Sequence, residues 1–424
     1  MLPTVILNRV RSPALVAYAF RGINAVASFA ATAMLARLVG PAVVGDQGFA
    51  VLTATLLGLI AMRGLDLVAL REIAGALRQA DEGAAAGVLR YARRWISVSA
   101  VGLSLLWALL SLFTPIAERL AVDAGALAVA SVGIASVALS RLGLAAVRGL
   151  GRPVAGQFLE GLSSLLFVAM IAVAFWRGDV FDAQTAVVLF FTCQSLAMVA
   201  IWIIVQRATR GWAVATAVDG GKLTRAGLPM MAVQATHMFS DWLLLALIAG
   251  AASAADMGAM RVAMQIVLVL TLVVATGETY LSAKVAGDIR AGRPDLVWAR
   301  HRRASLAMAL ALGPLVLICI VFPAPLLAFA FGPAFVVAAP ALAIMAIGQA
   351  TKTVTGPIGG LLNMAGHERA LMAITAAGVI LLLVLAFLLV PIWGLTGAAT
   401  AHAASVAFRN IFTYVAARRL VREG

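Results

Sequence analysis

Two similar stretches of sequence lie 210 residues apart: VGPAVVGDQGFA at 39–50 and AGAASAADMGAM at 249–260. Each is rich in small residues and separates two long apolar runs. A second pair, RGLGRP at 148–153 and NMAGHE at 363–368, has a nearly equal separation of 215 residues. Landmarks that recur in one order at one offset indicate an internal repeat. The chain is therefore predicted to consist of two tandem halves.

The composition requires that much of this chain faces lipid. Hydrophobic residues make up 63% of its 424 residues and charged residues 12%, and the mean hydropathy is +1.02. A soluble domain has about 25% charged residues and roughly 45–50% apolar ones. Because a single core does not need so many apolar residues, the surplus is assigned to membrane-spanning helices.

Windows of about 20 apolar residues predict twelve spans. The first half contains 14–38, 48–70, 95–114, 124–147, 154–176 and 185–206, and the second half contains 226–250, 257–281, 304–330, 335–362, 369–390 and 395–415. We expect an all-α polytopic membrane protein with two six-helix bundles, 1–210 and 211–424. Six is an even number, so both halves begin on the same side of the membrane. That makes a parallel pseudo-two-fold repeat, for which a site between the halves is expected.

The basic residues predict the orientation. The net charge is +14, and the lysines and arginines cluster in every second loop, chiefly within 71–94, 148–152, 207–225, 284–303 and 418–422. The opposite loops contain only Arg37, Arg119 and Arg177. The positive-inside rule then predicts a multi-pass protein of the bacterial inner membrane with both termini in the cytoplasm. Short clusters between apolar runs are not the continuous patch that binds nucleic acid, so no nucleic-acid partner is expected.

Polar and charged side chains also occur within the predicted spans. A charge near a helix centre costs roughly 2.5–3.5 kcal/mol on insertion scales and normally faces a wet cavity or a partner. Helical spacing arranges these residues as stripes on spans one, two, seven, eight and ten. The candidate substrate-binding residues on these stripes are Arg21, Asn24, Arg63, Asp66, Gln234, His237, Asp241, Arg261, Gln265 and Lys352.

Within these stripes, Arg63 and Asp66 are expected to pair, because residues at i and i+3 are neighbours on a helix. Two structural alternatives remain open for the candidates: hydrogen bonding between helices, and snorkelling of basic side chains near span ends. The excess of positive charge favours an anionic passenger, because the planar fork of arginine binds phosphate oxygens in bidentate fashion. A cation exporter would need the reverse balance.

No catalytic motif is found in the sequence. There is no GxxxxGK[ST] stretch for ATP and no HExxH or Cys/His cluster for a metal. Cys193 and Cys319 lie in separate apolar segments and indicate neither a disulfide nor a metal site. We therefore predict a protein that is not an enzyme and has no catalytic residue, metal or cofactor. Coupling to protons, sodium or the membrane potential is left open.

Five stretches, taken in order, resemble a known family. They are ARLVGPAVVGDQG (36–48), LDLVALREIA (65–74), GLPMMAVQATHMFSDWLLLALIAGAASAADMG (227–258), FGPAFVVAAPALAIMAIGQATKTVTGPIGGLLNMAGHERAL (331–371) and PIWGLTGAATAHA (391–403). The chain is similar to the O-antigen and exopolysaccharide flippases, which form the polysaccharide branch of the multidrug/oligosaccharidyl-lipid/polysaccharide exporter superfamily. It departs from that pattern at Met260, where an aromatic residue is usual, and at Trp242, where a basic one is usual.

The resemblance implies alternating-access translocation of undecaprenyl-pyrophosphate-linked oligosaccharide repeat units across the inner membrane, for surface polysaccharide biosynthesis. Arg21, Arg63 and Arg261 would bind the pyrophosphate or acidic sugars. The implied partners are the lipid-linked anionic oligosaccharide, membrane lipids, a polysaccharide polymerase and glycosyltransferases. One alternative is a cation-coupled multidrug extruder that uses Asp66, Asp241 or Glu278. Another is a membrane-embedded polysaccharide-modifying enzyme, against which the short loops argue.

Overall fold

A computed structural model describes residues 13–179, 181–212, 214, 216–290 and 293–420. These residues form α-helices, one 3-10 helix and short connections, with no β-strand among them. The α-helices are α1 Pro13–Met62, α2 Leu65–Arg78, α3 Glu82–Phe113, α4 Ile116–Arg119, α5 Ala124–Gly149, α6 Pro153–Arg177, α7 Ala183–Ala208, α8 Gly220–Ala251, α9 Ala254–Arg290, α10 Pro294–Val321, α11 Pro323–Phe331, α12 Ala339–Thr355, α13 Ile358–Met364 and α14 Glu368–Leu420. The 3-10 helix is Pro333–Ala338.

Many of these helices are long and apolar enough to cross a membrane. In the described part of the chain nine meet that criterion, and the bent pair 220–232 and 234–251 of α8 makes a tenth. Two of the nine, α1 and α14, have 50 and 53 residues. At about 1.5 Å per residue, each is roughly twice as long as a hydrocarbon core of about 30 Å requires. If the bent pair of α8 is one span and α1 and α14 are two spans each, the described residues provide twelve spans. The prediction of a polytopic all-α protein is confirmed.

A glycine divides each of the two long helices. Gly40 has φ 78° and ψ 178° in α1, and Gly394 has φ 52° and ψ −125° in α14. Both lie in the region of positive φ that side chains with a Cβ adopt at a cost. Gly40 belongs to the first copy of the repeated landmark, so the small-residue landmark marks the turn between two spans.

The apolar surfaces of the helices face outwards. The most apolar 18-residue stretch of α3 has a mean hydropathy of 2.1, yet only 17% of it is buried within the protein. Large side chains such as Leu112, Phe113 and Trp176 are 69%, 80% and 87% exposed. An apolar surface of this extent is stable only against lipid.

Four helices begin after an aspartate that accepts a hydrogen bond from the backbone amide three residues on. The pairs are Asp81 with Ala84, Asp123 with Ala126, Asp182 with Thr185 and Asp219 with Lys222. These caps satisfy amides that have no partner within the helix, and the helix dipole favours a negative charge there. The hydroxyl and amide of Thr185 hold the pKa of Asp182 below its usual value, and the amide of Lys222 does the same for Asp219.

The chain forms two compact units, Met1–Trp242 and Leu243–Gly424. In the first unit α1 packs on α5 and α6, and α5 also packs on α3 and α7. Its cores include one formed around Met62, Leu65 and Ile73 and one formed largely by alanines, among them Ala50 and Ala130. Small residues let helix backbones approach closely in lipid, where there is no hydrophobic drive between helices.

In the second unit α12 packs on α14 and on α10. A small core joins Val297 of α10 to Ile358, Leu361 and Leu362 of α13 and to Ala417 of α14. The sequence repeat places the boundary between the two halves at residues 210 and 211, whereas the compact units meet at residues 242 and 243. The boundary between the halves stays a prediction. The contacts attach the following segment to the first unit: the amide of Thr216 donates to the carbonyl oxygen of Gly83 at 3.0 Å.

Three predicted spans run across a point where the observed helix breaks. Span two was expected to run to residue 70, but α1 ends at Met62 and α2 begins at Leu65. Span ten was expected to run to residue 362, but α12 ends at Thr355 and α13 follows as a separate helix. Span nine is divided between α10 and α11 at Pro323, which has no amide proton to continue the helix. Hydropathy continues through these points, so it cannot reveal the breaks.

The break after α1 is in tight contact with α8. Gly64 has φ 72°, and a Cβ added there would overlap the carbonyl of Gly227. A Cβ added at Gly227 would in turn press on the carbonyl oxygen of Arg63. The two backbones can meet at this point only because both positions are glycine.

We predict that Gly64→Ala destabilises the protein by about 1–3 kcal/mol, because the substitution combines a strained φ with a backbone overlap. The measurement is the melting temperature of the purified protein in detergent. Gly75→Ala is the matched control, since Gly75 lies within α2 and a Cβ there meets nothing within 4 Å. The control should melt at or above the temperature of the native protein. Equal melting temperatures for the two variants would show that the contact is not tight.

Candidate functional site

Asn24 of the first polar stripe is turned towards α6. Its Nδ2 donates to the backbone carbonyl oxygen of Gln157 at 2.7 Å, and a Cβ at Gly161 would overlap the Asn24 amide. Phe20 and Phe158 pack edge-on beside it, with ring centroids 5.5 Å apart. Asn24 therefore joins two helices, which is one of the structural alternatives that the sequence left open.

A polar network continues from this contact along α6. Arg148 Nη2 lies 2.7 Å from Glu160 Oε2, and Gln157 Nε2 donates to the same oxygen at 2.6 Å. Arg148, Gln157 and Glu160 are not among the candidates that the sequence predicts. The available signal was the i and i+3 spacing of Gln157 and Glu160 on one helix. The network leaves Glu160 with a basic partner.

Arg21 lies about one turn before Asn24 and is exposed. None of the ion pairs in the described part of the chain includes it. Its guanidinium is the accessible charge of the first stripe. An arginine on an apolar helix without an acidic partner needs water, a lipid headgroup or an anionic ligand.

The expected pair of Arg63 and Asp66 is wrong. The helix is broken between the two residues, because α1 ends at Met62 and Gly64 has a left-handed conformation. Arg63 itself has φ 51° and is exposed, whereas Asp66 is 7% exposed in the first turn of α2. Within the described residues Asp66 Oδ1 has no hydrogen-bond partner. The i and i+3 spacing brings side chains together only along a continuous helix.

The stripe on span seven lies on α8. Gln234 and Asp241 are half-buried, His237 is exposed, and both His237 and Asp241 interact with neighbouring groups. The next residue, Trp242, secures this helix to the second span of α1, since its Nε1 donates to Thr53 Oγ1 at 2.9 Å.

Aromatic rings surround that anchor. The ring of Trp242 lies 5.6 Å from Phe49 and stacks at 6.1 Å on Phe239, measured between centroids. Trp242 was noted in the sequence only as a departure from a family pattern. In the structure Trp242 joins α8 to α1, which no spacing rule would indicate because its partner Thr53 is distant in sequence.

Three candidates lie in the second unit. Gln265 is buried and Arg261 half-buried, one turn apart on α9, and both interact with neighbouring groups. Lys352 is half-buried in the last turn of α12, one turn after the buried Gln349. It was expected inside span ten, but the helix ends three residues later. A cation in the last turn is stabilised by the helix dipole, which is a structural role.

The ten candidates are thus distributed over both units, seven in the first and three in the second. No group of three or more histidine, cysteine or acidic side chains that could hold a metal ion is found among the described residues. On the candidate stripes of the first unit the exposed charges are positive: Arg21 and Arg63 are exposed, whereas Asp66 is buried and Asp241 half-buried.

We predict that Asn24→Ala lowers stability by about 1 kcal/mol, because it removes the hydrogen bond between α1 and α6. Thermal melting in detergent measures the effect. Asn410→Ala is the matched control, since among the described residues the side chain of Asn410 donates to the carbonyl oxygen of Val406 in its own helix and joins no second helix. If both variants melt like the native protein, Asn24 does not hold the helices together and is free for another role.

No protein-family profile matches this sequence, and no curated protein matches it significantly. Solved structures do match. The chain is similar to an inward-facing multidrug resistance MATE family transporter of the MOP superfamily, with a TM-score of 0.73, 14% identity, and coverage of 97% of this chain and 98% of that one. It is similar to the lipid II flippase MurJ in an inward closed conformation, with a TM-score of 0.72, 10% identity, and coverage of 95% and 87%.

A third similar structure is a MOP superfamily transporter from Pyrococcus furiosus, with a TM-score of 0.57, 16% identity, and coverage of 97% and 94%. It is described by the reverse polarity of its binding pocket. At these low sequence identities the similarity shows a shared fold, and it extends over nearly the whole chain. This chain has the fold of MOP superfamily transporters.

Proposed function

We propose that this protein is a flippase that moves a lipid-linked anionic oligosaccharide across the bacterial inner membrane by alternating access. One observation carries the proposal: on the candidate stripes of the first unit, the exposed charges are the guanidinium groups of Arg21 and Arg63, while Asp66 is buried and Asp241 half-buried. A surface of this sign attracts an anion and repels a cation.

The proposed passenger is an undecaprenyl-pyrophosphate-linked repeat unit for surface polysaccharide. Its pyrophosphate presents oxygens that match the bidentate fork of arginine, and its polyprenyl tail stays in the bilayer. Arg21 and Arg63 belong to the end of the first unit that the loop charges assign to the cytoplasm, where such a lipid is made. In this proposal both termini are cytoplasmic, and a polysaccharide polymerase and glycosyltransferases are the functional partners.

Transport against a gradient needs an energy source. The sequence has no phosphate-binding loop for ATP, so a proton gradient, a sodium gradient or the membrane potential is the proposed source. Arg261, Gln265 and Lys352 of the second unit stay candidates for the later part of the transport cycle.

The alternative proposal is a cation-coupled multidrug extruder. Asp241 favours it, because this half-buried carboxylate lies on the same helix as the stacked rings of Trp242 and Phe239, and a negative charge and an aromatic surface both attract a cationic drug. A multidrug resistance transporter is also among the structures with this fold.

A deletion strain distinguishes the two proposals. A flippase mutant should accumulate lipid-linked repeat units on the cytoplasmic leaflet and lose surface polysaccharide, without becoming sensitive to drugs. Normal surface polysaccharide together with drug sensitivity would support the extruder instead.

We predict that the double variant Arg21→Gln/Arg63→Gln translocates a fluorescent lipid-linked oligosaccharide at least about tenfold more slowly in liposomes, because charge-assisted contacts to the pyrophosphate are lost. Arg119→Gln/Arg177→Gln is the matched control: both arginines are exposed and belong to the opposite loops. The control should transport at the native rate. If the two double variants slow transport equally, the arginines act only through net charge and the assignment fails.

A further inference from the structure

A cavity of about 420 Å³ lies in the second unit, where the start of α10 meets the ends of α12 and α14. Its lining residues are Asp295, Trp298, Ala299, His301, Arg302, Ser305, Val354, Tyr414 and Arg418. None of them belongs to the candidate stripes described above. The loop charges assign this end of the unit to the cytoplasm.

Two guanidinium groups from different helices face this cavity. Arg302 of α10 and Arg418 of α14 are both exposed, and no ion pair in the described part of the chain involves either. Asp295 contributes the only carboxylate among the lining residues, so the lining has one excess positive charge. Nearby Arg300 is occupied by Asp288, at 3.0 Å. The cavity therefore has a net attraction for anions.

The inner wall carries buried polar atoms without partners. His301 is 2% exposed, and within the described residues neither its Nδ1 nor the Nε1 of Trp298 has a hydrogen-bond partner. The indole N–H can only donate, so it requires an acceptor. Trp298 packs edge-on against both His301 and Tyr414, at centroid distances of 5.6 and 6.2 Å. The rings hold the unsatisfied donor in a fixed position.

These features specify one kind of ligand. The two exposed guanidinium groups match the several acceptor oxygens of a phosphate group. Tryptophan and tyrosine are typical of the membrane–water interface, and Val354 on the rim is an exposed apolar residue. Anionic lipids attract basic residues at the cytoplasmic surface.

We propose that this cavity binds a phosphate group at the membrane surface, supplied by the headgroup of an anionic phospholipid in the cytoplasmic leaflet. The site shares no lining residue with the candidate stripes and does not depend on which passenger the protein carries. Bound lipid would join α10 to α14 through the two arginines. Soluble phosphate or pyrophosphate offers the same chemistry, and the experiment distinguishes the two sources.

The test is a binding titration of the purified full-length protein in neutral detergent, with bound lipid measured by native mass spectrometry. Phosphatidylglycerol is the lipid probe, phosphatidylcholine the neutral comparison and sodium pyrophosphate the soluble competitor. Arg302→Gln/Arg418→Gln should bind phosphatidylglycerol at least about tenfold more weakly than the native protein. Arg303→Gln/Arg419→Gln is the matched control, because each change lies one residue along the same helix and outside the lining. It should bind normally.

A second variant keeps the proposal testable if the double variant is unstable. Asp295→Asn removes the opposing carboxylate and should tighten binding. The site is supported if Arg302→Gln/Arg418→Gln loses binding of phosphatidylglycerol or of pyrophosphate while the control variant retains it. If the native protein binds pyrophosphate but not phosphatidylglycerol, the site takes soluble phosphate and the lipid assignment is overturned. The proposal is overturned if both double variants bind each probe like the native protein, or if Asp295→Asn leaves affinity unchanged.

Discussion

Hydrocarbon offers no hydrogen-bond partner to a peptide group, so every spanning segment of this chain must satisfy its own backbone. That constraint explains why the described residues are helical almost without interruption. It also explains why glycine is found where the helices break. Gly40, Gly64, Gly356 and Gly394 all have positive φ, and each terminates or bends a helix between apolar stretches. At Gly64 the turn is packed against Gly227 of α8, so protein covers the backbone at this point.

The same low dielectric makes charge expensive, and the structure shows how individual charges are accommodated. Glu160 has Arg148 and Gln157, Arg300 has Asp288, and Lys352 has the end of a helix dipole. Arg21 and Arg63 have no such compensation among the described residues, and both are exposed. Groups that are not compensated within the protein are the ones expected to meet a ligand. The functional proposal depends on this difference, and on the sign of the charge.

Sequence alone predicted the helical class, the twelve spans and the small-residue landmarks, because hydropathy and loop charge directly record contact with lipid and water. It did not predict where helices break inside apolar stretches, because the spans were assigned from mean hydropathy, which does not register turn-forming residues such as Gly64, Gly356 and Pro357. The error at Arg63 and Asp66 has this origin: the spacing rule assumed one continuous helix. Contacts between distant segments, such as Asn24 with Gln157 or Trp242 with Thr53, leave no periodic signal. The phosphate cavity brings together three helices and was not detectable from any one of them.

The exposed arginines Arg21 and Arg63 are proposed to select an anionic passenger. Transport by the purified protein in liposomes tests this selection most directly, with a pyrophosphate-linked polyprenyl oligosaccharide and a lipophilic cationic drug supplied in parallel. The account predicts translocation of the lipid-linked anion and no protein-dependent movement of the cation. Movement of the cation alone, driven by an imposed sodium or proton gradient, would contradict it.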